Sequence, residues 1–338
     1  MEKFGEIMKK FEEKIWEEGE YTYEAAYGFV PNIHAYLHDD NEKRDCMIVV
    51  PGGGYCMVVP PEACIPAMEF YNRGMNVFVL TYTTDITFAV PLKKQPQNDI
   101  ARAVRFIRKR EAEYNIDGKK LFVVGFSAGA HVCGCLAVHY KDIEDKNPEY
   151  KDISCKPDGA ILSYPVITTG EYTHIYSVWA LVGQDAPKEE MEYFSLETQV
   201  SEDTVPCFIW QTATDNLVPV ENSYLMAKAL KEKGVYFAHY VFPDGFHGLS
   251  VPNKDFFDGK FEEYTMEQVM LAVDAVKKGN GVKVTDQRVQ ELKDQFPDEP
   301  KNDNENNPSP FGDADPLKLF EDVRVWPDLA MKWMERIN

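Results

Sequence analysis

Short apolar runs alternate with longer amphipathic segments along most of the chain. Runs such as 77–80 and 121–124 are apolar at every position, which is typical of strands buried on both faces of a parallel sheet. The predicted strands are 33–37, 46–50, 76–82, 121–125, 159–164, 206–211 and 237–242. Apolar residues at helical spacing predict helices over 62–73, 99–114, 128–140 and 220–233. This alternation predicts an α/β fold, a mostly parallel, doubly wound sheet with helices on both faces.

Two parts of the chain depart from this alternation. At the N-terminus, helical spacing predicts one apolar stripe formed by Phe4, Ile7, Met8, Phe11 and Ile15. Between 251 and 322, stripes over 266–276 and 289–296 predict two helices, and the polar stretch 298–316 predicts a mobile acidic loop. We therefore predict a single domain over 1–338, with an insertion at 251–322 before a C-terminal helix.

Composition and charge narrow the classes of function. Hydrophobic residues make up 44% of the 338 residues, which is enough to fill a core. With 36 basic and 56 acidic side chains the net charge is −20, which argues against nucleic acids and anionic membranes as partners. No apolar run approaches the roughly 20 residues of a membrane helix, and the charged start lacks the apolar core of a secretory signal. We predict a cytoplasmic protein and leave open whether it forms a homo-oligomer.

Cysteine spacing does not point to a metal or a disulfide framework. The seven cysteines are odd in number, so free thiols in a reducing compartment are expected. Cys133 and Cys135 lie two residues apart in a predicted helix and point in nearly opposite directions, so they cannot share an ion with His131. The glycines at 52–54 lack the Gly-Lys-Ser/Thr that ends a phosphate-binding loop. We therefore expect neither a metal nor a nucleotide.

A G-x-S-x-G pattern, from Gly125 to Gly129, lies between a predicted strand and a predicted helix. A serine at a sharp strand-to-helix turn needs small neighbours, because larger ones would clash with the strand and the helix. Such a turn raises the Ser127 hydroxyl above the sheet and directs the N-terminus of the helix at developing negative charge. The pattern alone also fits an ordinary glycine-rich turn.

Two further features supply partners for this serine. Upstream, the glycines at 52–54 follow a predicted strand, and glycine lets backbone amides approach a ligand closely, as an oxyanion hole requires. Downstream, Asp215 and His247 each follow a predicted strand. The chain order Ser127, Asp215, His247 is that of nucleophile, orienting acid and general base in α/β-hydrolases. Asp244, on the same loop as His247, and Asp185 remain alternative acids.

The chain resembles carbohydrate (xylan-type) acetyl esterases, in the hormone-sensitive-lipase-like and BD-FAE-like branch of the α/β-hydrolases. The matching segments are PGGGY (51–55), GFSAGAH (125–131), ATDNLVPVENS (213–223) and FPDGFHG (242–248). The resemblance covers roughly residues 21–250 and resumes near 323. Pro51 stands where lipase-like relatives carry histidine, which favours the sugar-esterase branch.

The resemblance implies a serine ester hydrolase that removes acetyl groups from carbohydrate esters, such as acetylated xylo-oligosaccharides, without a cofactor. It implies that Ser127 is the nucleophile, His247 the base and Asp215 the acid. The implied oxyanion-hole donors are the amides of Gly53, Gly54 and Ala128. Tyr55, next to these glycines, is expected to contact the acyl or sugar group.

Three alternatives stay open at this point. A general short-chain carboxylesterase or lipase-like enzyme would use the same residues, and a peptidase is weaker because the sequence shows no separate propeller-like repeat region that would screen peptides. A non-catalytic binding protein on the same fold is an alternative from another class. The complete triad argues against it, because such a protein would be free to lose one of the three residues. The insertion at 251–322, which follows His247 directly, is either a surface excursion or a lid that narrows the pocket.

Overall fold

One eight-stranded sheet runs through the described part of the protein. The computed structural model describes residues 8–298 and 310–337. The strands are β1 (Met8–Lys14), β2 (Asn32–His38), β3 (Arg44–Val50), β4 (Asn76–Thr81), β5 (Ile116–Phe126), β6 (Gly159–Ser163), β7 (Cys207–Thr212) and β8 (Phe237–Phe242). Their order across the sheet is β1-β2-β4-β3-β5-β6-β7-β8. Strand β2 is antiparallel to β1 and to β4, and all the other neighbours are parallel.

The predicted fold class is confirmed by this sheet. Each of the seven predicted strands overlaps one observed strand, from β2 to β8. Strands β4, β6 and β7 are buried at every position, as expected for central strands covered on both faces. The largest difference is at β5, which begins at Ile116 because that residue pairs with Arg44 beyond an irregularity in the ladder.

The predicted N-terminal helical stripe is wrong over its described part, which is the edge strand β1. Phe4 and Ile7 lie outside the described residues. Phe11 and Ile15 are four residues apart and share a face in a helix and in a strand alike, so their spacing does not distinguish the two. Pairing with β2 provides hydrogen-bond partners for the backbone of β1. The centroid of the Phe11 ring lies 5.7 Å from that of the Tyr114 ring. Tertiary contact with the sheet therefore decides the conformation.

Helices cover both faces of the sheet. They are α1 (Cys64–Tyr71), α2 (Gln95–Lys109), α3 (Ala128–His139), α4 (Ile175–Val182), α5 (Lys188–Tyr193), α6 (Leu196–Gln199), α7 (Glu221–Glu232), α8 (Lys254–Phe257), α9 (Glu267–Lys277), α10 (Asp286–Gln295), α11 (Pro316–Leu319) and α12 (Trp326–Met334). Ile48 and Val50 of β3 pack in one core with α2, α3 and α7. Met47 and Val49 pack in a second core with α1 and α12. Successive side chains of one strand thus point to opposite faces of the sheet and contribute to both cores.

The two helices predicted in the insertion are confirmed as α9 and α10. They form a small third core in which Val269 and Val273 of α9, with Leu292 of α10, pack against Ile86. Of the predicted mobile loop at 298–316, residues 299–309 lie outside the described residues. The assignment of 1–338 to a single domain stays a prediction.

No helix of the described residues combines the length and the apolar character needed to cross a bilayer. All seven cysteines lie within the described residues and are free, and six of them are buried. The buried thiols therefore pack as small apolar side chains.

Candidate active site

Ser127 sits on a strained turn between β5 and α3. Its backbone has φ 52° and ψ −119°, a conformation that side-chain-bearing residues rarely adopt. The flanking glycines make the turn possible. A Cβ on Gly125 would lie 2.3 Å from the Gly129 carbonyl oxygen, and one on Gly129 would lie 2.1 Å from the Val50 carbonyl oxygen. The G-x-S-x-G pattern is therefore a requirement of space at the point where β3, β5 and α3 meet.

The structure brings Ser127, His247 and Asp215 together from three parts of the chain. The His247 Nε2 lies 2.8 Å from the Ser127 Oγ, and its Nδ1 lies 2.8 Å from the Asp215 Oδ2. Because the carboxylate only accepts, Nδ1 carries the proton and Nε2 has a lone pair free for the serine hydroxyl. The arrangement can therefore take a proton from Ser127 as its oxygen attacks an electrophile.

The Asp215 carboxylate is held in place from both sides. Its Oδ1 accepts hydrogen bonds from the amides of Leu217 at 3.0 Å and Val218 at 2.9 Å, while Oδ2 faces His247. Its side chain is 1% exposed. The tight turn that follows β7 thus fixes the orientation of the Asp215 carboxylate independently of its contact with His247, which comes from the turn that follows β8.

The glycine run after β3 forms a loop beside Ser127. Gly53 has φ 125° and Gly54 has φ 63°, and a Cβ on Gly53 would lie 2.3 Å from the Met57 carbonyl oxygen. Both glycines line the same cavity as the serine. No protein acceptor is found for their amides among the described residues. Ala128 is the first residue of α3, so its amide lies at a helix N-terminus, where backbone N–H groups are free to bind negative charge.

A buried carboxylate under this loop was missed by the sequence analysis. Glu62 accepts hydrogen bonds from the Gly52 amide at 2.7 Å and from the Tyr164 hydroxyl at 2.6 Å. Burial raises its pKa, and the Tyr164 hydroxyl, His247 and the Gly52 amide act in the opposite direction. The Tyr164 ring in turn packs edge-on against His247, with centroids 4.9 Å apart. Through Tyr164, Glu62 therefore connects the glycine loop to His247, and these contacts correspond to no local sequence motif.

The cavity beside Ser127 has a volume of about 460 Å³ and is mostly apolar. Ile86, Phe88 and Leu217 contribute apolar side chains, and His174 and Tyr176 reach it from the start of α4. The insertion takes part as well, since Arg288 and Gln295 of α10 line the same space. The insertion therefore shapes the pocket and is more than a surface excursion.

The predicted contact between Tyr55 and a substrate is contradicted by the structure. The Tyr55 side chain is 1% exposed, and its hydroxyl lies 2.6 Å from the His131 Nδ1 inside the core. Positive φ values at Gly54 and Tyr55 turn the chain so that the ring points away from the cavity. His131 is buried and lies one helical turn after Ser127. Asp244 is exposed and lies apart from the hydrogen bonds of His247.

Gly129→Ala is expected to destabilise the fold by about 3 kcal/mol or more, because the added methyl group meets backbone atoms of Val50 and Pro51 that cannot move aside. Gly134→Ala on the same helix is the matched control. There the methyl group meets only the end of the Leu196 side chain, and alanine favours the helix. Urea denaturation of both variants checks the difference, and equal losses would contradict it.

Stability is expected to fall on acidification because His131 is buried in its neutral form. Its Nδ1 faces the Tyr55 hydroxyl and its Nε2 the Phe194 carbonyl, and burial lowers its pKa to about 4. The unfolded chain binds this proton below about pH 6.5 and the folded chain only below about pH 4. The cost is therefore absent above pH 7 and grows to about 3 kcal/mol towards pH 4. Urea denaturation of wild type and His131→Gln between pH 7.5 and 4 should show a shallower dependence in the variant, whereas parallel curves would contradict it.

Comparison with known proteins places the chain in a family. The BD-FAE family profile matches residues 33–230, more than half of the chain. The chain is 66% identical over 270 residues to an endo-1,4-beta-xylanase B of Butyrivibrio fibrisolvens, covering 80% of this chain and 42% of that protein. It is 27% identical over 219 residues to an acetylxylan esterase of Xylanibacter ruminicola, covering 62% of this chain and 42% of that protein. The chain thus spans less than half the length of these two relatives.

A solved structure agrees with the family match. The crystal structure of an acetyl ester-xyloside bifunctional hydrolase from Caldicellulosiruptor lactoaceticus superimposes with a TM-score of 0.67 at 32% identity. The alignment covers 80% of this chain and 96% of that chain. The chain therefore belongs to the BD-FAE family and has the α/β-hydrolase fold.

Proposed function

We propose that the protein removes acetyl groups from carbohydrate esters, such as acetylated xylo-oligosaccharides, by means of a Ser-His-Asp triad. One observation carries the proposal. The Ser127 hydroxyl is hydrogen-bonded to a base that is itself oriented by a buried carboxylate, and it opens into a cavity of about 460 Å³. That arrangement is the one that activates a serine for acyl transfer.

In the first half of the reaction, the Ser127 oxygen attacks the ester carbonyl carbon while the His247 Nε2 takes the serine proton. Asp215 stabilises the imidazolium that forms and keeps its ring oriented. The negative oxygen of the tetrahedral intermediate is held by backbone amides. The proposed donors are the amides of Gly53, Gly54 and Ala128. The C–O bond to the sugar then breaks, the imidazolium returns the proton to the leaving oxygen, and an acetyl-enzyme remains.

In the second half, water enters the place that the sugar alcohol has left. His247 takes a proton from this water as the water oxygen attacks the acetyl carbonyl. Collapse of the second tetrahedral intermediate breaks the bond to Ser127, which regains its proton from His247, and acetate leaves. In this cycle water supplies the second nucleophile, and Ser127 and His247 supply the first nucleophile and the base.

The choice of a sugar acetate is supported by what the relatives are called, namely an acetylxylan esterase and an acetyl ester-xyloside bifunctional hydrolase. A general short-chain carboxylesterase is the second candidate. Its supporting observation is the apolar lining of the cavity, where Ile86, Met57 and Phe88 would accept alkyl groups as well.

Cleavage of a glycosidic bond, which the name of the xylanase relative raises, fits this cavity less well. Glycosidases generally use two carboxyl groups on opposite sides of the scissile bond. Among the described residues that line the cavity, Glu62 is the only carboxylate. Both of its oxygens are already engaged, by the Gly52 amide and the Tyr164 hydroxyl. Ester hydrolysis at Ser127 therefore accounts for the site better.

Acetate release from acetylated xylo-oligosaccharides and from 4-nitrophenyl acetate, at matched concentrations, tests the proposal. Efficient sugar deacetylation that exceeds cleavage of the nitrophenyl ester supports it. Cleavage of the nitrophenyl ester alone would leave a short-chain carboxylesterase and remove the sugar assignment. If unacetylated xylo-oligosaccharides are shortened instead, the glycosidase candidate replaces the esterase.

A further inference from the structure

A second cavity adjoins the one beside Ser127. It has a volume of about 490 Å³ and shares Phe88, Tyr176 and Arg288 with the first. We call the cavity beside Ser127 the inner cavity and this one, which also includes Trp179 and Gln184, the outer cleft. One wall of the outer cleft is α4 with the turn after it, and the other wall belongs to the insertion, at α10 and the residues before it. A ligand with one end at Ser127 can therefore continue past Tyr176 into the outer cleft.

Aromatic side chains face this passage. Tyr176 and Trp179 lie three residues apart on α4, with centroids 5.5 Å apart and rings at 83°. Tyr176 is 57% exposed, so its ring is open to a ligand in the passage. Opposite, the Phe88 ring lies under the Arg288 guanidinium at 4.9 Å. Exposed aromatic faces beside a catalytic cavity suit the apolar C–H face of a pyranose ring.

The outer cleft also carries polar groups that suit a hydroxyl-rich ligand, and Lys283 adds one ammonium group to its lining. Arg288 donates to the Ile86 carbonyl at 2.6 and 3.0 Å and to Glu291 at 2.9 Å. Its charge is therefore engaged within the protein, and the residue serves as a fixed wall between the two cavities. Gln184 on one wall and Gln287 on the other carry amides that can both donate to and accept from sugar hydroxyls.

We propose that the outer cleft binds the sugar units next to the acetylated one, so that the substrate is an oligosaccharide chain and not a small acetate. This inference rests on the proposed function, since it concerns what lies beyond the ester at Ser127. It also assigns a role to the insertion, which supplies one wall of the cleft. Substitution of Trp179 tests the outer cleft most directly, because this residue lines the outer cleft and not the inner cavity.

The direct test is binding of unacetylated xylotetraose, which carries no ester and so reports on binding without catalysis. Calorimetric titration of wild type should give saturable binding. Trp179→Ala should weaken it at least ten-fold, and Gln184→Ala, a change at an exposed position, several-fold. The control is Tyr224→Ala, which removes an exposed tyrosine from α7 and should leave binding unchanged. No binding to wild type, or equal binding to all four proteins, would overturn the outer-cleft proposal.

Kinetics separate this inference from the function on which it rests. Trp179→Ala should lower kcat/KM for acetylated xylotetraose ten-fold or more and leave that for 4-nitrophenyl acetate within about two-fold, which also shows that the variant is folded. If both substrates lose activity equally, the outer cleft does not select sugars and the inference fails. If wild type cleaves no sugar acetate yet binds xylotetraose through Trp179, the proposed deacetylation fails while the sugar site stands.

Discussion

Ser127→Ala is expected to lower kcat for ester hydrolysis on the order of 10⁶-fold, the loss seen when an activated nucleophile is removed from such a triad. The variant lacks the hydroxyl to which the His247 Nε2 is hydrogen-bonded, so His247 has no serine proton to accept there. The backbone amides and the cavity would remain, so a small residual rate above that in water is expected. Initial rates with 4-nitrophenyl acetate and acetylated xylo-oligosaccharides measure the effect.

Another Ser-His pair, formed by Ser177 and His174, serves as a control. The Ser177 Oγ lies 2.8 Å from the His174 Nδ1, a contact as short as that between Ser127 and His247. Ser177→Ala should keep activity within about three-fold, because no carboxylate of the described residues is hydrogen-bonded to His174 in the way that Asp215 is to His247. A fluorophosphonate probe should label wild type and Ser177→Ala but not Ser127→Ala. Labelling that follows Ser177 would show that the nucleophile has been assigned to the wrong pair.

Asp215→Asn is expected to lower kcat about 10⁴-fold while leaving the fold intact. The amides of Leu217 and Val218 donate to Oδ1, so the amide oxygen of asparagine would take that place and its NH₂ group would face His247. An NH₂ group donates, so the imidazole would have to turn its unprotonated nitrogen towards it. Nε2 would then carry the proton and could no longer accept one from Ser127.

Asp244→Asn is the matched control for this prediction. Asp244 lies three residues before His247 in the chain, but it is exposed, so removing its charge should change kcat less than two-fold. Urea denaturation of both variants would show whether a loss of activity follows a loss of structure. A larger effect at Asp244 than at Asp215 would mean that the base is oriented differently in solution.

Much of the site could be predicted from local patterns because its parts follow buried strands. Strand ends in a parallel sheet meet at one edge, so Ser127, Asp215 and His247 could be expected to converge from their positions after β5, β7 and β8. Glycine at positions 125 and 129 could be explained from the sequence, because a strained turn has room only for a hydrogen atom in place of a side chain. The chain order and the turn chemistry were therefore sufficient to propose three roles.

Other parts of the site depend on contacts between distant segments, and local patterns do not carry them. Glu62 reaches Tyr164 across about a hundred residues of sequence. Arg288 belongs to an insertion whose helices could be predicted from the sequence. Where these helices pack, and hence that Arg288 lines the inner cavity, could not be predicted. Tyr55 was assigned to the wrong side of its loop, because the sign of φ at two successive residues decides where the ring points.

The amino-acid sequence by itself determined the alternation of strands and helices, the strained turn at Ser127 and the order of the candidate catalytic residues. These features rest on periodicity and on the steric demands of single residues, which act over a few positions. The tertiary structure alone decided that residues 8–14 form an edge strand and that Tyr55 belongs to the core. It also decided that α4 and α10 enclose a cleft beside the serine. Each of these outcomes depends on packing between segments far apart in the chain, where the free energy of burial outweighs local preference.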